Sequence, residues 1–135
     1  PIGKSKIVHE GNDVTLVSFG KMMKVAEETY LAAQKEGINI EVIDLRSVRP
    51  IDFESIVNSV KKTNRLVIIE EAWPLASISS EISHHIQRFA FDSLDAPVHR
   101  ITCEDVPFHY APTLIKEITP NVEKGLKAVK SVMYR

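Results

Sequence analysis

Cysteine is almost missing from this chain: Cys103 is the only one among 135 residues. No intrachain disulfide can form, which fits a reducing compartment such as a bacterial cytoplasm or a mitochondrial matrix. Glycine is scarce as well, at five residues with none clustered. There is accordingly no G-x-G-x-x-G and no G-x-x-x-x-G-K-S/T loop to cradle a phosphate. The chain also lacks C-x-x-C, H-E-x-x-H and G-x-S-x-G, the signatures of common zinc sites and of the serine-hydrolase elbow. No apolar run approaches the ~18 residues of a membrane helix, so no membrane is expected as a partner. Net charge is −1, with Lys and Arg spread along the chain. Without a basic block or an aromatic-interleaved stripe, no nucleic acid is expected either. The first residue is Pro, and no charged-then-apolar leader follows it, which reads as a piece of a longer protein.

What is present is an ordinary globular composition, 44% hydrophobic and 26% charged, of a length that fits one domain over residues 1–135. Strand and helix patterns alternate. VTLVSF (14–19) reads as a strand, ended by Gly20. Over 22–36, Met22, Ala26, Tyr30 and Ala33 share one helical face, and Gly37 sits where a C-cap falls. INIEVIDL (38–45) is a second strand. Asp52 is placed to cap a helix whose apolar stripe is Phe53, Ile56, Val57 and Val60. LVII (66–69) is apolar without alternation, as in a strand covered on both faces. Ile78, Ile82, Ile86 and Phe89 mark a third helix, and VHRITC (98–103) a further strand. Thr119 is the predicted cap of the last helix, with Pro120 at its first position and Val122, Leu126, Val129 and Met133 as its buried face. KIVHE (6–10) adds an edge strand or a short hairpin, and 104–116 reads as a loop. The fold class that follows is three-layer α/β/α, with a mainly parallel sheet of about five strands and right-handed crossovers.

Open parallel sheets place ligands at the carboxyl ends of their strands. The polar residues there are Asp44, Arg46 and Arg49, then Glu70, Glu71 and Trp73, then Glu104, Asp105 and His109. Paired carboxylates beside a histidine suit acid–base chemistry. They suit equally the ion pairs and hydrogen bonds that fix loops or a subunit interface. His84 and His85 are adjacent, which is the wrong spacing for a metal pair on a helix. Cys103 has no base near it in sequence, and a strand end is usually a packing position. Trp73-Pro74 has the form of an anchor, a large ring placed by a rigid turn, for packing inside the domain or against a partner.

Five segments occur together in order: IEVIDLRSVRPID (40–52), KKTNRLVIIEEAWP (61–74), SSEI (79–82), FDSLDAP (91–97) and DVPFHYAP (105–112). With these the chain resembles, over essentially its whole length, the C-terminal domain of pyruvate dehydrogenase E1 beta subunits, in the transketolase C-terminal class. The segment around Trp73-Pro74 favours the pyruvate enzymes over their branched-chain 2-oxoacid counterparts. The resemblance implies a fragment of a longer E1 beta subunit, a part of an enzyme that oxidatively decarboxylates pyruvate and passes the acetyl group to lipoyl-E2. It implies thiamine diphosphate and magnesium in the full enzyme, held between the alpha subunit and an earlier beta domain, and none bound by this fragment. No catalytic, cofactor or metal residue is then assigned here. The implied partners are the E1 alpha subunit, a second E1 beta subunit and the E2 peripheral subunit-binding domain. Asp95 matches the family's acidic docking residue, and the terminal segment ending at Arg135 lies near that surface; Glu71, Trp73 and His109 are further candidates for subunit or docking contacts. The chain departs from its relatives after Trp73-Pro74, where LASISS replaces small glycines and predicts a less tight loop. Two other readings remain: a self-contained enzyme with Glu70, Glu71, Asp105 and His109 around one closed pocket, and an α/β ligand-binding module.

Overall fold

The computed structural model describes residues 2–106 and 117–135. Five strands form one sheet: β1 (Lys6–His9), β2 (Val14–Ser18), β3 (Ile40–Asp44), β4 (Leu66–Ile69) and β5 (His99–Ile101). Their spatial order is β1-β3-β2-β4-β5. β1 runs antiparallel to β3, and every other pairing is parallel. The amino-terminal segment is thus an edge strand and not a hairpin with β2, because β3 lies between them. Gly11 lets the chain make that passage: a Cβ there would sit 2.4 Å from the carbonyl carbon of Ile40.

Among the described residues four helices cover the sheet: α1 (Met23–Lys35), α2 (Phe53–Thr63), α3 (Ile78–Phe89) and α4 (Val122–Val132). α1 leads from β2 to β3 on one side, and α2 leads back past β2 to β4 on the other. Period-two alternation in the strands then divides the core. Val14, Leu16, Ile40, Val42, Val67 and Ile69 pack with α1 and α4, while Val17, Ile43, Leu66 and Ile68 pack with α2 and α3. Both faces are covered, which is why the strand segments carry so little polarity.

Local chemistry sets the helix ends. Asp52 caps α2 by accepting from Ser55 N, and Ser77 caps α3 by accepting from Ser80 N. Gly37 follows α1 at φ 78°, a conformation glycine adopts without penalty. The last helix begins later than the Thr119-Pro120 pattern predicts: Asn121 is its cap, accepting from Lys124 N at 2.9 Å. Its fully buried residues are Gly125, Ala128, Val129 and Val132, with Leu126 and Met133 at the margin. Small residues face inward there because α1 crosses close by; a Cβ on Gly125 would lie 2.3 Å from Thr29 Oγ1. Phe89 also departs from its predicted inward stripe and is 59% exposed.

Candidate functional site

The switch in winding direction falls between β2 and β4, and their carboxyl ends are tied together there. Ser18 Oγ donates to Ile69 O at 2.8 Å. Just beyond, Lys21 Nζ lies 2.9 Å from Glu71 Oε1. The other carboxylate oxygen of Glu71 is buried and has no hydrogen-bond partner among the described residues. Glu70, next along, is buried and turned to structural work: it accepts from Ile78 N at 3.1 Å and Ser79 N at 2.9 Å, holding the start of α3. On the neighbouring β3, Asp44 accepts from Arg46 N at 3.1 Å and so shapes its own turn.

The segment 70–77 is braced from several sides. Arg100 Nη1 donates to Pro74 O at 2.9 Å and to Ser80 Oγ at 2.8 Å. Ser80 Oγ also donates to Pro74 O at 2.9 Å, and Cys103 N donates to Ala72 O at 2.9 Å. Ala76 takes φ 53° without being glycine. The predicted looser loop is therefore not what forms; the hydroxyls of Ser77 and Ser80 both donate to Pro74 O and hold it. Trp73 stands on this braced segment and is 48% exposed.

Beside it an open groove of about 550 Å³ follows residues 99–105 and the flank of α4 at Lys124 and Lys127. Glu104 and Asp105 line it, whereas Glu70 and Glu71 do not, so the closed acid–base pocket of the second reading does not form among the described residues. His109 lies outside the described residues. Lys124 Nζ is 3.9 Å from Glu104 and donates to Glu117 O at 2.7 Å. Cys103 is buried, and burial together with the Glu71 charge pushes its thiol pKa up, which keeps it a packing group.

A second surface lies at the opposite, amino-terminal edge of the sheet. Asp95 N donates to Asn64 O at 2.8 Å, and Tyr134 O–H donates to Asp95 O at 3.0 Å. The exposed Asp95 side chain thus stands on a backbone held from both sides. It rims an apolar groove of about 600 Å³ formed by Phe91, Leu94, Pro97, Val98 and Tyr134. Arg135 is next in sequence but lines a separate groove with Glu123 and Lys130. The sequence candidates therefore divide: Glu71 and Trp73 lie at one edge of the sheet, Asp95 and Arg135 at the other. Lys21, Arg100 and Tyr134 escaped the sequence reading, since each acts through a contact far away in the chain.

His9 and His85 hold structural positions, while His84 lines the apolar groove beside Asp95 and His99 the groove along 99–105. His9 bonds Glu27 at 2.8 Å and stacks on Tyr30. His85 stacks on Phe53, and its burial, aided by the neighbouring His84, lowers its pKa. Burial alone lowers that of His99.

The described residues do not fit thiamine diphosphate or magnesium. No three His, Cys, Asp or Glu side chains converge among them as metal ligands. The first strand-to-helix turn offers a lone Gly20, open on its Cβ side, and its lysine is committed to Glu71.

Sheet order and two-sided helix cover define a doubly wound α/β/α domain. The family described as "Transketolase, C-terminal domain" matches residues 3–124, and the chain belongs to it. It is 46% identical over 135 residues to the pyruvate dehydrogenase E1 component subunit beta of Rhizobium meliloti (strain 1021), covering 100% of this chain and 29% of that protein. It is 47% identical to the mitochondrial subunit of the same name from Dictyostelium discoideum, covering 100% of this chain and 38% of that one. The chain thus spans well under half the length of these relatives. Among solved structures, a split-gene transketolase described as an inactive beta4 tetramer superposes with TM-score 0.88 at 27% identity, over 98% of this chain and 43% of that one.

Proposed function

We propose that this chain is the assembly and docking domain of a pyruvate dehydrogenase E1 beta subunit. In this reading the whole enzyme decarboxylates pyruvate with thiamine diphosphate and magnesium and passes the acetyl group to lipoyl-E2. This domain supplies surfaces, and the cofactor lies on other parts of the enzyme. The observation that carries the reading is the end-to-end similarity: relatives bearing that name match all 135 residues at 46% and 47% identity. The geometry agrees with it in kind. Both candidate surfaces are open and are built from braced backbone, which suits contact with another protein more than enclosure of a small molecule.

The two edges then divide the work. The carboxyl edge, with Trp73 on its held loop and the Lys21–Glu71 pair, faces the alpha subunit or the second beta subunit. The amino edge, with Asp95 on its rim, receives the E2 peripheral subunit-binding domain. The compartment is reducing, either a bacterial cytoplasm or a mitochondrial matrix, in line with relatives of both kinds.

The test is binding of the purified E2 subunit-binding domain to E1 reconstituted with Asp95→Ala. The expected loss is about 1–3 kcal/mol, with a weaker salt dependence than the parent, since a salt-screened charge pair is removed. Unchanged affinity would remove Asp95 from the docking surface.

A further inference from the structure

The last helix, α4, closes in an unusual cap. Tyr134 N donates to Ser131 O at 3.0 Å and Arg135 N to Lys130 O at 2.9 Å, the paired bonds of a Schellman motif closing α4. The residue at its left-handed position is Tyr134, at φ 59°. Glycine or asparagine costs least there, and an aromatic residue is held against its own backbone preference. Such an outlier persists only where its surroundings over-determine it, and the inference runs from the outlier to a role. Two contacts over-determine this one. The hydroxyl reaches Asp95 O at 3.0 Å, 39 residues away. The ring, 75% exposed, forms one wall of the apolar groove on whose rim Asp95 stands.

We infer that Tyr134 is a positioning residue of the docking surface: its left-handed placement fixes Asp95 and completes the apolar groove beside it. The inference rests on the docking reading of Asp95 given above. The occupant it defines is a segment of a partner protein carrying a cationic side chain next to an aliphatic or aromatic one. Charge complementarity supports this choice. Asp95 is the only formally charged residue lining the groove, no Lys or Arg lines it, and Asp95 makes no ion pair among the described residues. The cation would meet the carboxylate while its apolar neighbour fills the space between Leu94, Val98 and the tyrosine ring.

Three substitutions separate the parts, with the full chain in assembled E1 and the E2 subunit-binding domain as the probe. Tyr134→Gly and Tyr134→Asn keep the left-handed cap and remove the ring. They are expected to weaken probe binding at least fivefold with the melting temperature held or raised, because backbone strain is relieved. Tyr134→Phe keeps the wall and drops the hydroxyl, for a two- to threefold loss at an unchanged salt slope. Asp95→Asn is the control, and it should lower both the affinity and the salt slope. If Asp95→Asn weakens binding while the Tyr134 variants bind like the parent, the positioning role is overturned and the docking reading stands. Affinity that falls only in step with melting temperature overturns it too. If Asp95→Asn itself binds like the parent, the docking reading fails and takes this inference with it.

Discussion

At the scale of single residues, Asp52 shows how one side chain joins distant parts of the chain. It accepts from Ser5 N at 3.0 Å and Ser5 Oγ at 2.9 Å while also accepting from Ser55 N and Ser55 Oγ at the start of α2. Burial pushes its pKa up, but these four donors outweigh burial and hold it at about 2, below the ordinary 3.8. A carboxylate depressed in the fold stabilises fully above its unfolded pKa, and that stability is lost as pH falls through the folded value. In Asp52→Asn the Asn can still cap α2 but cannot accept from both Ser5 donors. We predict a loss of about 1–2 kcal/mol at pH 7, read by urea denaturation. The gap to the parent should shrink as pH falls from about 4 toward 2; a gap that stays constant with pH would show that the charge is not involved. The helix-capping half of this role is legible in sequence, because Asp before an apolar stripe is a local signal. The Ser5 half is not, since 47 residues separate the partners. The same limit hid the hydrogen bonds of Arg100 and Tyr134.

At the scale of elements, strands were the most legible parts. LVII (66–69) matches β4 end to end, because a buried parallel strand leaves no room for polar alternation. Helix ends were less so. Thr119-Pro120 carries a good starting signal, yet Asn121 caps α4, two residues on, and the buried face shifts toward Gly125, Ala128 and Val132. Close approach of α1 decides this, and no pattern within α4 announces it. Gly125→Ala should therefore destabilise the fold by about 1–2 kcal/mol net, the overlap with Thr29 outweighing the better helix propensity of alanine. Thr29→Ala in the same background should recover part of the loss, since the obstructing hydroxyl, 2.3 Å from the added Cβ, and its neighbouring methyl are both gone. The braced segment 70–77 gives a second element-level prediction. Arg100→Ala removes the charged one of the donors to Pro74 O, so the anisotropy of Trp73, the only tryptophan, should fall while the sheet stays folded by circular dichroism. Unchanged anisotropy would mean that Glu70 and Ser80 suffice to hold the loop.

At the scale of the whole molecule, topology arranges function. Helices return each crossover to the amino edge of the sheet, so α4 ends near Asp95 and the start of β5. The strands, in turn, deliver Glu71 and Trp73 to the other edge. Which residues share a surface was therefore not readable from their order. The central claim is that this domain contributes contacts and holds no reaction centre. Titration calorimetry of thiamine diphosphate with magnesium into the folded 135-residue chain tests it most directly. The account predicts no saturable heat at protein concentrations on the order of 100 μM, well above a 1 μM dissociation constant. Stoichiometric binding at or below that constant, abolished by substitution at Glu71 or Lys21, would contradict it.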